Sequence, residues 1–253
     1  MCLILFGYKI SNKFPLVLAT NRDEFYRRPT AVMHFWDDSP DILAGKDLEQ
    51  GGTWFGIHRS GTFAALTNYR NPAALKQNAP SRGGIIIDFL NSNKSPECFI
   101  HDFEPTAGEY NGFNLILGNM DDLFWFTNLT NRIERIKPGI HGLSNRFLNT
   151  PWPKVESGKT ALKKIMDTSI SKDHLFSLLK DRSRPDDDKL PETGIGPEWE
   201  RILSPLFIES DNYGTRSSTI MRVDRKGNMK ITERTYFYEQ RLGYKDLDFF
   251  IQA

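Results

Sequence analysis

The sequence predicts an α+β fold built from antiparallel sheets. Strand-like segments fill the first part of the chain, helix-like segments occupy the middle, and a strand pair returns near the C-terminus. Strict alternation of strands and helices would instead indicate a parallel sheet. The chain has 253 residues and is 39% hydrophobic, which is enough for one large core. We therefore predict a single domain over residues 1–253.

Two hairpins are predicted near the N-terminus. Segments 2–10 and 15–20 are rich in Ile, Leu, Val and Phe, and the polar residues between them indicate a turn at Asn12-Lys13. A second pair of short strands flanks the turn at Arg59–Gly61. Both hairpins consist of strands that are close in sequence, which favours antiparallel pairing.

Helices are predicted in the middle of the chain. Their apolar spacing is found in segments 81–93, 95–103, 151–166 and 171–181. Ser81 and Ser95 are the expected N-caps of the first two helices. Segment 182–200 is polar and contains three prolines, so we expect a long surface loop there.

Further strands are predicted around and after these helices. Segment 110–136 is typical of three strands joined by turns at 119–122 and 128–131. Segment 214–237 is typical of a hairpin with its turn at Lys226-Gly227. Together with the N-terminal hairpins, these strands are enough to form two sheets covered by helices.

Composition excludes several classes of protein. Lys plus Arg (33) nearly equals Asp plus Glu (32), so no nucleic-acid partner or anionic membrane surface is indicated. No apolar run approaches the roughly 20 residues of a transmembrane segment, and Lys9 interrupts the first apolar stretch too early for a signal peptide. Cys2 and Cys98 cannot form a disulfide framework. A cytoplasmic, reduced protein is expected.

Cys2 is the first candidate catalytic residue. A cysteine directly after the initiator methionine leads straight into strand-like sequence. Methionine is removed before small residues, which would leave Cys2 with a free α-amine whose ordinary pKa is about 7.7–8.0. That amine can act as the base for the neighbouring thiol. The alternative is that Cys2 is a small buried core residue.

The segment "NRDE" supplies the second set of candidates. Asn21, Arg22, Asp23 and Glu24 are expected where the second strand ends, close to the strand of Cys2. Arg22 could lower the pKa of the thiol or bind a carboxylate, and Asp23 could receive a proton or orient Arg22. We predict Asn21 and Glu24 as substrate-binding residues. The alternative is a solvated cluster of ion pairs, which would add little stability.

Polar residues at the ends of other strands complete the candidate site. Asn68 and Asn145 follow apolar segments, where their amides could donate to an oxyanion or could simply stabilise turns. Arg216 and Ser217 begin the last predicted hairpin and could bind an anion, or could be ordinary first residues of a strand. The five histidines are scattered without the spacing of a zinc site, and no phosphate-binding loop pattern is present.

Five motifs occur in order along the chain: "MCLILFGY", "LATNRDEFYRRPT", "GKDLEQGGTWFGI", "AALTNYR" and "HGLSN". In these motifs the chain resembles the NRDE-motif family, the relatives of transport and Golgi organisation protein two, over essentially its full length. This family is similar to the N-terminal-nucleophile hydrolase superfamily. The resemblance therefore implies a four-layer αββα sandwich.

The resemblance also implies roles for individual residues. In cysteine members similar to choloylglycine hydrolase and penicillin V acylase, the mature chain begins with Cys, as it would at Cys2. An Arg on the next strand matches Arg22, oxyanion asparagines match Asn68 and Asn145, and a late Arg matches Arg216 or Arg222. Those hydrolases carry Asp three residues after the strand-two Arg, whereas here that residue is Phe25.

Two functions follow from the resemblance. The first is a cysteine hydrolase, an amidase that acts on non-peptide C–N bonds of a small-molecule substrate and requires no cofactor. The second is a non-catalytic protein that binds and traffics haem or an acyl or lipid-type small molecule on the same scaffold. Neither a Cys-Pro dipeptide nor a CxxCH motif is present, so a lone His or Cys2 would have to serve as axial ligand to haem.

Overall fold

The computed structural model describes residues 2–238 and 242–252, and the thirteen strands of these residues form two antiparallel sheets. The first sheet has the order β10-β1-β2-β11-β12-β13 and the second has the order β3-β4-β5-β6-β7-β8-β9. The strands of the first sheet are β1 (Cys2–Tyr8), β2 (Leu16–Phe25), β10 (Gly139–Leu143), β11 (Tyr213–Val223), β12 (Met229–Tyr238) and β13 (Leu242–Ile251). Those of the second are β3 (Thr30–Trp36), β4 (Ser39–Asp47), β5 (Phe55–His58), β6 (Phe63–Asn68), β7 (Phe113–Gly118), β8 (Leu123–Thr127) and β9 (Arg132–Arg135).

The main hydrophobic core lies between the two sheets. Ile4 and Phe6 of β1 and Leu18 of β2 pack in one buried cluster with Phe55 and Trp125 of the second sheet. Alternate residues of a strand point to opposite faces of its sheet, so the neighbours of these residues face outward. Cys2, two residues before Ile4, therefore shares the face that lies between the sheets.

Helices cover the outer face of each sheet and complete four layers. The helices are α1 (Gly83–Asn91), α2 (Pro96–Ala107), α3 (Pro153–Thr168), α4 (Lys172–Leu179) and α5 (Pro197–Ile202). Leu3 and Leu5 of the first sheet pack against Leu162 of α3 and Leu175 of α4. On the second sheet, α1 and α2 pack against residues of β4, β6 and β7 in a separate buried cluster. The predicted αββα sandwich is confirmed.

Most predicted elements are confirmed, and two details are wrong. The Ser95 Oγ accepts a hydrogen bond from the Cys98 N–H at 3.3 Å and caps α2. Ser81 is not an N-cap, because Arg82 occupies that position of α1 and makes no side-chain cap. The second strand does not end before the "NRDE" segment, since β2 continues through Phe25. The "NRDE" side chains are therefore part of a paired strand.

Five elements were not predicted from the sequence, namely strands β3, β4, β10 and β13 and helix α5. Strands β3 and β4 pair with two register irregularities, so the two-residue alternation that would reveal them is interrupted. Strand β13 lies at the edge of its sheet beyond β12 and carries exposed aromatic residues among its charges. Helix α5 is a short helix at the end of the predicted loop, segment 182–200. No helix of residues 2–238 and 242–252 combines the length and the apolar character needed to cross a membrane.

Candidate functional site

Cys2 and Arg22 are direct neighbours because of the register of the first hairpin. Cys2 on β1 pairs with Arg22 on β2, and side chains directly opposite each other in an antiparallel pair lie on the same face. Both residues are largely buried, with 8% of Cys2 and 5% of Arg22 exposed. The hairpin thus places a thiol beside a guanidinium at the end of the inter-sheet space.

A cavity of about 320 Å³ opens at this end of the sheets. Its wall is mainly polar, and its residues include Cys2, Arg22, Glu24, Asp47, Asn68 and Arg82. Trp54 and Leu66 supply apolar surface in the same wall. The small size and polar wall suit a compact polar ligand better than an extended apolar one.

Arg22 is held in place by three groups of the second sheet. Its guanidinium donates to Thr30 Oγ1 at 3.1 Å, lies 3.6 Å from the carboxylate of Asp47, and stacks 4.1 Å from the ring centre of Trp54. A guanidinium fixed on three sides has little freedom to move away from the thiol. Arg22 therefore couples the end of β2 to the end of β4 and to the loop that follows it.

Asp47 is the carboxylate that fixes this loop. It accepts a hydrogen bond from Arg28 Nε at 2.6 Å, and its other oxygen accepts the N–H groups of Glu49 and Gln50 at 3.0 and 3.1 Å. Burial acts to raise the pKa of Asp47, but these hydrogen bonds outweigh it and hold that pKa below its ordinary value. Asp47 is thus ionised and available to Arg22 at neutral pH.

Gly52 permits the loop after β4 to pack against the start of α1. A Cβ at Gly52 would lie 2.5 Å from the carbonyl carbon of Gly83, and Thr53 N–H donates to the Gly83 carbonyl at 3.2 Å. The two segments meet through backbone atoms, which cannot move aside as a flexible side chain could. Any residue larger than glycine would separate the two walls of the cavity.

We expect Gly52→Ala to lower the free energy of unfolding by about 1–3 kcal/mol, because the added methyl overpacks a backbone contact. Gly84→Ala is the matched control, since a Cβ there meets nothing within 4 Å and Ala favours the helix. Urea denaturation followed by tryptophan fluorescence measures both. Equal effects of the two substitutions would contradict the close approach.

The thiol of Cys2 is protonated at rest. Burial raises the pKa of Cys2 above its ordinary value, and the nearby Arg22 guanidinium only partly opposes this. A protonated thiol is a weak nucleophile and needs a base within reach. Arg22 alone therefore does not activate Cys2.

The two candidate oxyanion asparagines differ in how their amides are used. Asn68 ends β6, lines the cavity and has no hydrogen bond from its side-chain amide to any of the described residues. Asn145 is fully buried, and its amide nitrogen donates to the backbone carbonyl of Asn68 at 2.9 Å. Asn68 is thus free to donate to a ligand, whereas Asn145 supports the backbone that carries Asn68.

Asp23 lies on the other face of β2, toward the helices. Its Oδ1 accepts a hydrogen bond from Thr215 Oγ1 at 2.7 Å, and its backbone carbonyl accepts one from the Tyr213 hydroxyl at 2.9 Å. Burial raises the pKa of Asp23, while Lys154, Thr215 and Arg22 act to lower it. Asp23 also reaches the wall of the cavity, so the end of β2 presents charged groups on both faces.

A buried charge cluster supports this end of the sheet from the helix side. Arg70 donates to Glu200 at 2.6 Å, and both side chains are only 5% exposed. Lys154 of α3 donates to the Leu203 carbonyl at 2.9 Å. Burial, with the positive charge of Arg70, lowers the pKa of Lys154 to about 8. Arg70 also contacts Asn145 Oδ1 at 3.4 Å, which links the cluster to Asn68.

The structure does not bring the remaining candidates into the cavity wall. Asn21 is fully buried and donates to the carbonyls of Leu179 and Leu206 at 2.9 and 2.8 Å. Arg216 donates to the backbone carbonyls of Phe25 and Arg28 at 2.9 and 3.0 Å. All four of these hydrogen bonds go to backbone carbonyls, so the two side chains stabilise the end of β2.

Two further sequence candidates also lie away from the wall. Ser217 is opposite Arg22 on β11 and its side chain is buried behind the guanidinium. Arg222 is near the far end of β11, opposite Val17. Glu24 is the one predicted substrate-binding residue that lines the cavity, where it lies 4.0 Å from Arg28 Nε.

Asp47, Trp54 and Arg82 are wall residues that the sequence did not single out as functional. Asp47 and Trp54 belong to the "GKDLEQGGTWFGI" motif, which served only as a family signature, and Arg82 precedes a helix in a stretch without any motif. None of the five histidines lines the cavity. Over residues 2–238 and 242–252, no group of three or more His, Cys, Asp and Glu side chains could hold a metal ion.

Comparison with known proteins agrees with this architecture. The solved structure of the mutant C2A conjugated bile acid hydrolase from Clostridium perfringens is similar with a TM-score of 0.54, covering 98% of this chain and 92% of that one at 9% identity. At this identity the likeness concerns the fold alone. The chain therefore has an N-terminal-nucleophile hydrolase-like fold.

Sequence relatives identify the family more narrowly. The chain is 34% identical to the Transport and Golgi organization protein 2 homolog of Bos taurus, with 93% of both chains covered. It is 28% identical to Transport and Golgi organization protein 2 of Drosophila melanogaster, covering 93% of this chain and 92% of the relative. Residues 1–238 match the family model described as Transport and Golgi organisation 2. The chain belongs to the Transport and Golgi organisation 2 family.

Proposed function

We propose that this chain is a cysteine-dependent amidohydrolase that acts on non-peptide C–N bonds of a small polar substrate. The observation that carries the proposal is the position of the Cys2 thiol, which lies in the wall of the 320 Å³ cavity and pairs with Arg22. The shared fold with a bile acid hydrolase supports a hydrolase scaffold.

The proposed reaction begins after removal of the initiator methionine. The α-amine of Cys2 takes the thiol proton while the sulfur attacks the amide carbonyl carbon, which gives a tetrahedral oxyanion. The C–N bond then breaks, and the departing amine takes the proton from the α-ammonium. A thioester remains on Cys2. Water attacks it with the α-amine as base, and the acid is released as the thiol recovers its proton.

Three side chains support these steps. The Asn68 amide donates to the oxyanion, because it faces the cavity and no described residue is bonded to it. Arg22 stabilises negative charge that develops on sulfur. Asp23, one residue further along β2, orients the α-ammonium that forms when the amine accepts the proton. Arg22 thus stabilises the negative charge of the transition state, and Asp23 stabilises its positive charge.

Hydrolysis of a panel of N-acyl-p-nitroanilides tests the proposal through release of p-nitroaniline. We expect Cys2→Ala to reduce the rate to background while the far-ultraviolet circular dichroism stays unchanged. Cys98→Ala is the control, because Cys98 is exposed on α2, outside the cavity. Release that persists in Cys2→Ala, or that is absent across the whole panel in wild type, would count against the enzyme.

The alternative function is binding of haem or an acyl or lipid-type molecule in the same cavity without catalysis. The wall is rich in charged side chains, and its described residues include neither His nor Met. A polar wall disfavours an acyl chain, which gains affinity by burying apolar surface. Haem binding stays a prediction from the family resemblance, and no contact of the cavity favours it.

A further inference from the structure

Arg82 differs from the other arginines of the cavity wall because no carboxylate forms an ion pair with it among residues 2–238 and 242–252. Within that part of the chain its guanidinium makes one hydrogen bond, from Nη1 to the Gly112 carbonyl at 3.0 Å. Arg22 and Arg28, by contrast, share the carboxylate of Asp47 at 3.6 and 2.6 Å. Most of the Arg82 donors are therefore unused.

Three of the four acidic residues of the wall form ion pairs with Arg28, and among the described residues none forms one with Arg82. Arg28 Nε lies 4.0 Å from Glu24, and Arg28 Nη1 lies 3.3 Å from Glu49. Asp47 is the third acid of this group. The cavity thus has one side where cations and acids form ion pairs and another side where the Arg82 guanidinium feels Glu24 only at longer range and has no ion-pair partner among the described residues. Such an arrangement directs an anionic group of a ligand toward Arg82.

The backbone around Arg82 is fixed by close packing. The next residue, Gly83, would place a Cβ 2.8 Å from the backbone nitrogen of Thr53. The Gly83 carbonyl accepts the Thr53 N–H at 3.2 Å. These contacts hold the start of α1 against the loop that carries Trp54, which in turn stacks on Arg22. Arg82 is therefore held in a fixed position relative to the Cys2–Arg22 pair.

We infer that Arg82 recognises a carboxylate of the substrate, so that the substrate is an amide that also carries a carboxylate group. An arginine fork matches the two oxygens of a carboxylate, and partial burial strengthens the pair. This inference rests on the proposed function, since it assigns the substrate class of the same site. It makes Arg82 a specificity-determining residue, separate from the residues that carry out the reaction.

Alkylation of Cys2 by two reagents of similar size tests the inference without any known substrate. Iodoacetate carries a carboxylate and iodoacetamide is neutral, and each loses iodide as the thiolate forms a C–S bond. Both reagents react with the same thiolate, so the ratio of their rates does not depend on the fraction of Cys2 that is ionised. Cys98, exposed on α2, gives the reference ratio in the same molecule. Peptide mapping by mass spectrometry measures both cysteines.

The preference of a cysteine is its rate with iodoacetate divided by its rate with iodoacetamide. We expect the preference of Cys2, relative to that of Cys98, to fall at least about fivefold in Arg82→Gln and to be largely kept in Arg82→Lys. The reason is that only Arg82→Gln loses a charge-assisted hydrogen bond. Arg225→Gln controls for net charge, because Arg225 is exposed in the β11–β12 turn. A second measurement uses wild type alone: acetate, but not acetamide, should slow the reaction of Cys2 with iodoacetamide.

The outcomes separate the two proposals. Either of two results would overturn carboxylate recognition and leave the proposed hydrolase standing. The first is that Cys2 reacts with both reagents at a rate ratio that Arg82→Gln does not change. The second is that acetate and acetamide protect Cys2 equally. Failure of both reagents to reach Cys2 while Cys98 reacts would overturn both, because the thiol would not be accessible from the cavity.

Discussion

Replacing Asn68 by Ala is expected to lower the rate of amide hydrolysis by about 10²–10³-fold, the usual effect of removing one oxyanion donor. The Asn68 side chain faces the cavity and has no hydrogen-bond partner within residues 2–238 and 242–252, whereas the contact from Asn145 goes to the Asn68 backbone and survives the substitution. The free energy of unfolding should therefore change little. Steady-state kinetics with the p-nitroanilides measures the effect, which should fall on kcat.

Asn111→Ala is the matched control for this prediction. Asn111 also lines the cavity, but its amide group is already bonded to the backbone of Lys76 on both its oxygen and its nitrogen. We expect a rate loss of less than about threefold, because no donor to the oxyanion is removed. If Asn68→Ala itself lowered the rate by less than about threefold, Asn68 would be a strand-end residue without a part in the reaction.

Arg70→Met is expected to lower the free energy of unfolding by about 3–5 kcal/mol, because it leaves Glu200 buried without its cation. The two side chains are 2.6 Å apart and each is 5% exposed. The other oxygen of Glu200 still accepts bonds from Thr193, which do not neutralise its charge. Urea denaturation measures the loss.

Arg201→Met provides the comparison with an exposed pair. Arg201 is 2.7 Å from Asp187, but the side chains are 49% and 61% exposed, so the loss should stay below about 1 kcal/mol. The double variant Arg70→Met/Glu200→Leu should recover much of the stability, since it leaves no buried charge in that pair. Equal losses in Arg70→Met and Arg201→Met would contradict the account of the buried cluster.

The layer architecture could be predicted from the sequence because it depends on local patterns. Alternating apolar strands, short turns and the spacing of helical residues identify the hairpins and the helices α1–α4. The neighbourhood of Cys2 and Arg22 also follows from local sequence, since a hairpin turn at Asn12-Lys13 brings the two strands together. The alternation along a strand predicts only on which face of the sheet each side chain lies.

The rest of the site depends on contacts between distant segments. Asn21 has the composition of a binding residue, yet it donates to carbonyls of Leu179 and Leu206, which are more than 150 positions away. Nothing in the sequence distinguishes Arg82 from other arginines. It stands out only in the structure, where the carboxylate of Asp47 forms ion pairs with Arg22 and Arg28 and not with Arg82. Neither fact is encoded in a motif, so only the packed structure reveals it.

The central claim is that Cys2, as the first residue of the processed chain, is the nucleophile in the wall of the cavity. Peptide mapping by mass spectrometry after reaction with a limiting amount of iodoacetamide tests it in one measurement. The account predicts that the N-terminal peptide begins with Cys2, has a free α-amine and carries the label ahead of Cys98. An N-terminal peptide that retains Met1, with label on Cys98 and none on Cys2, would contradict it.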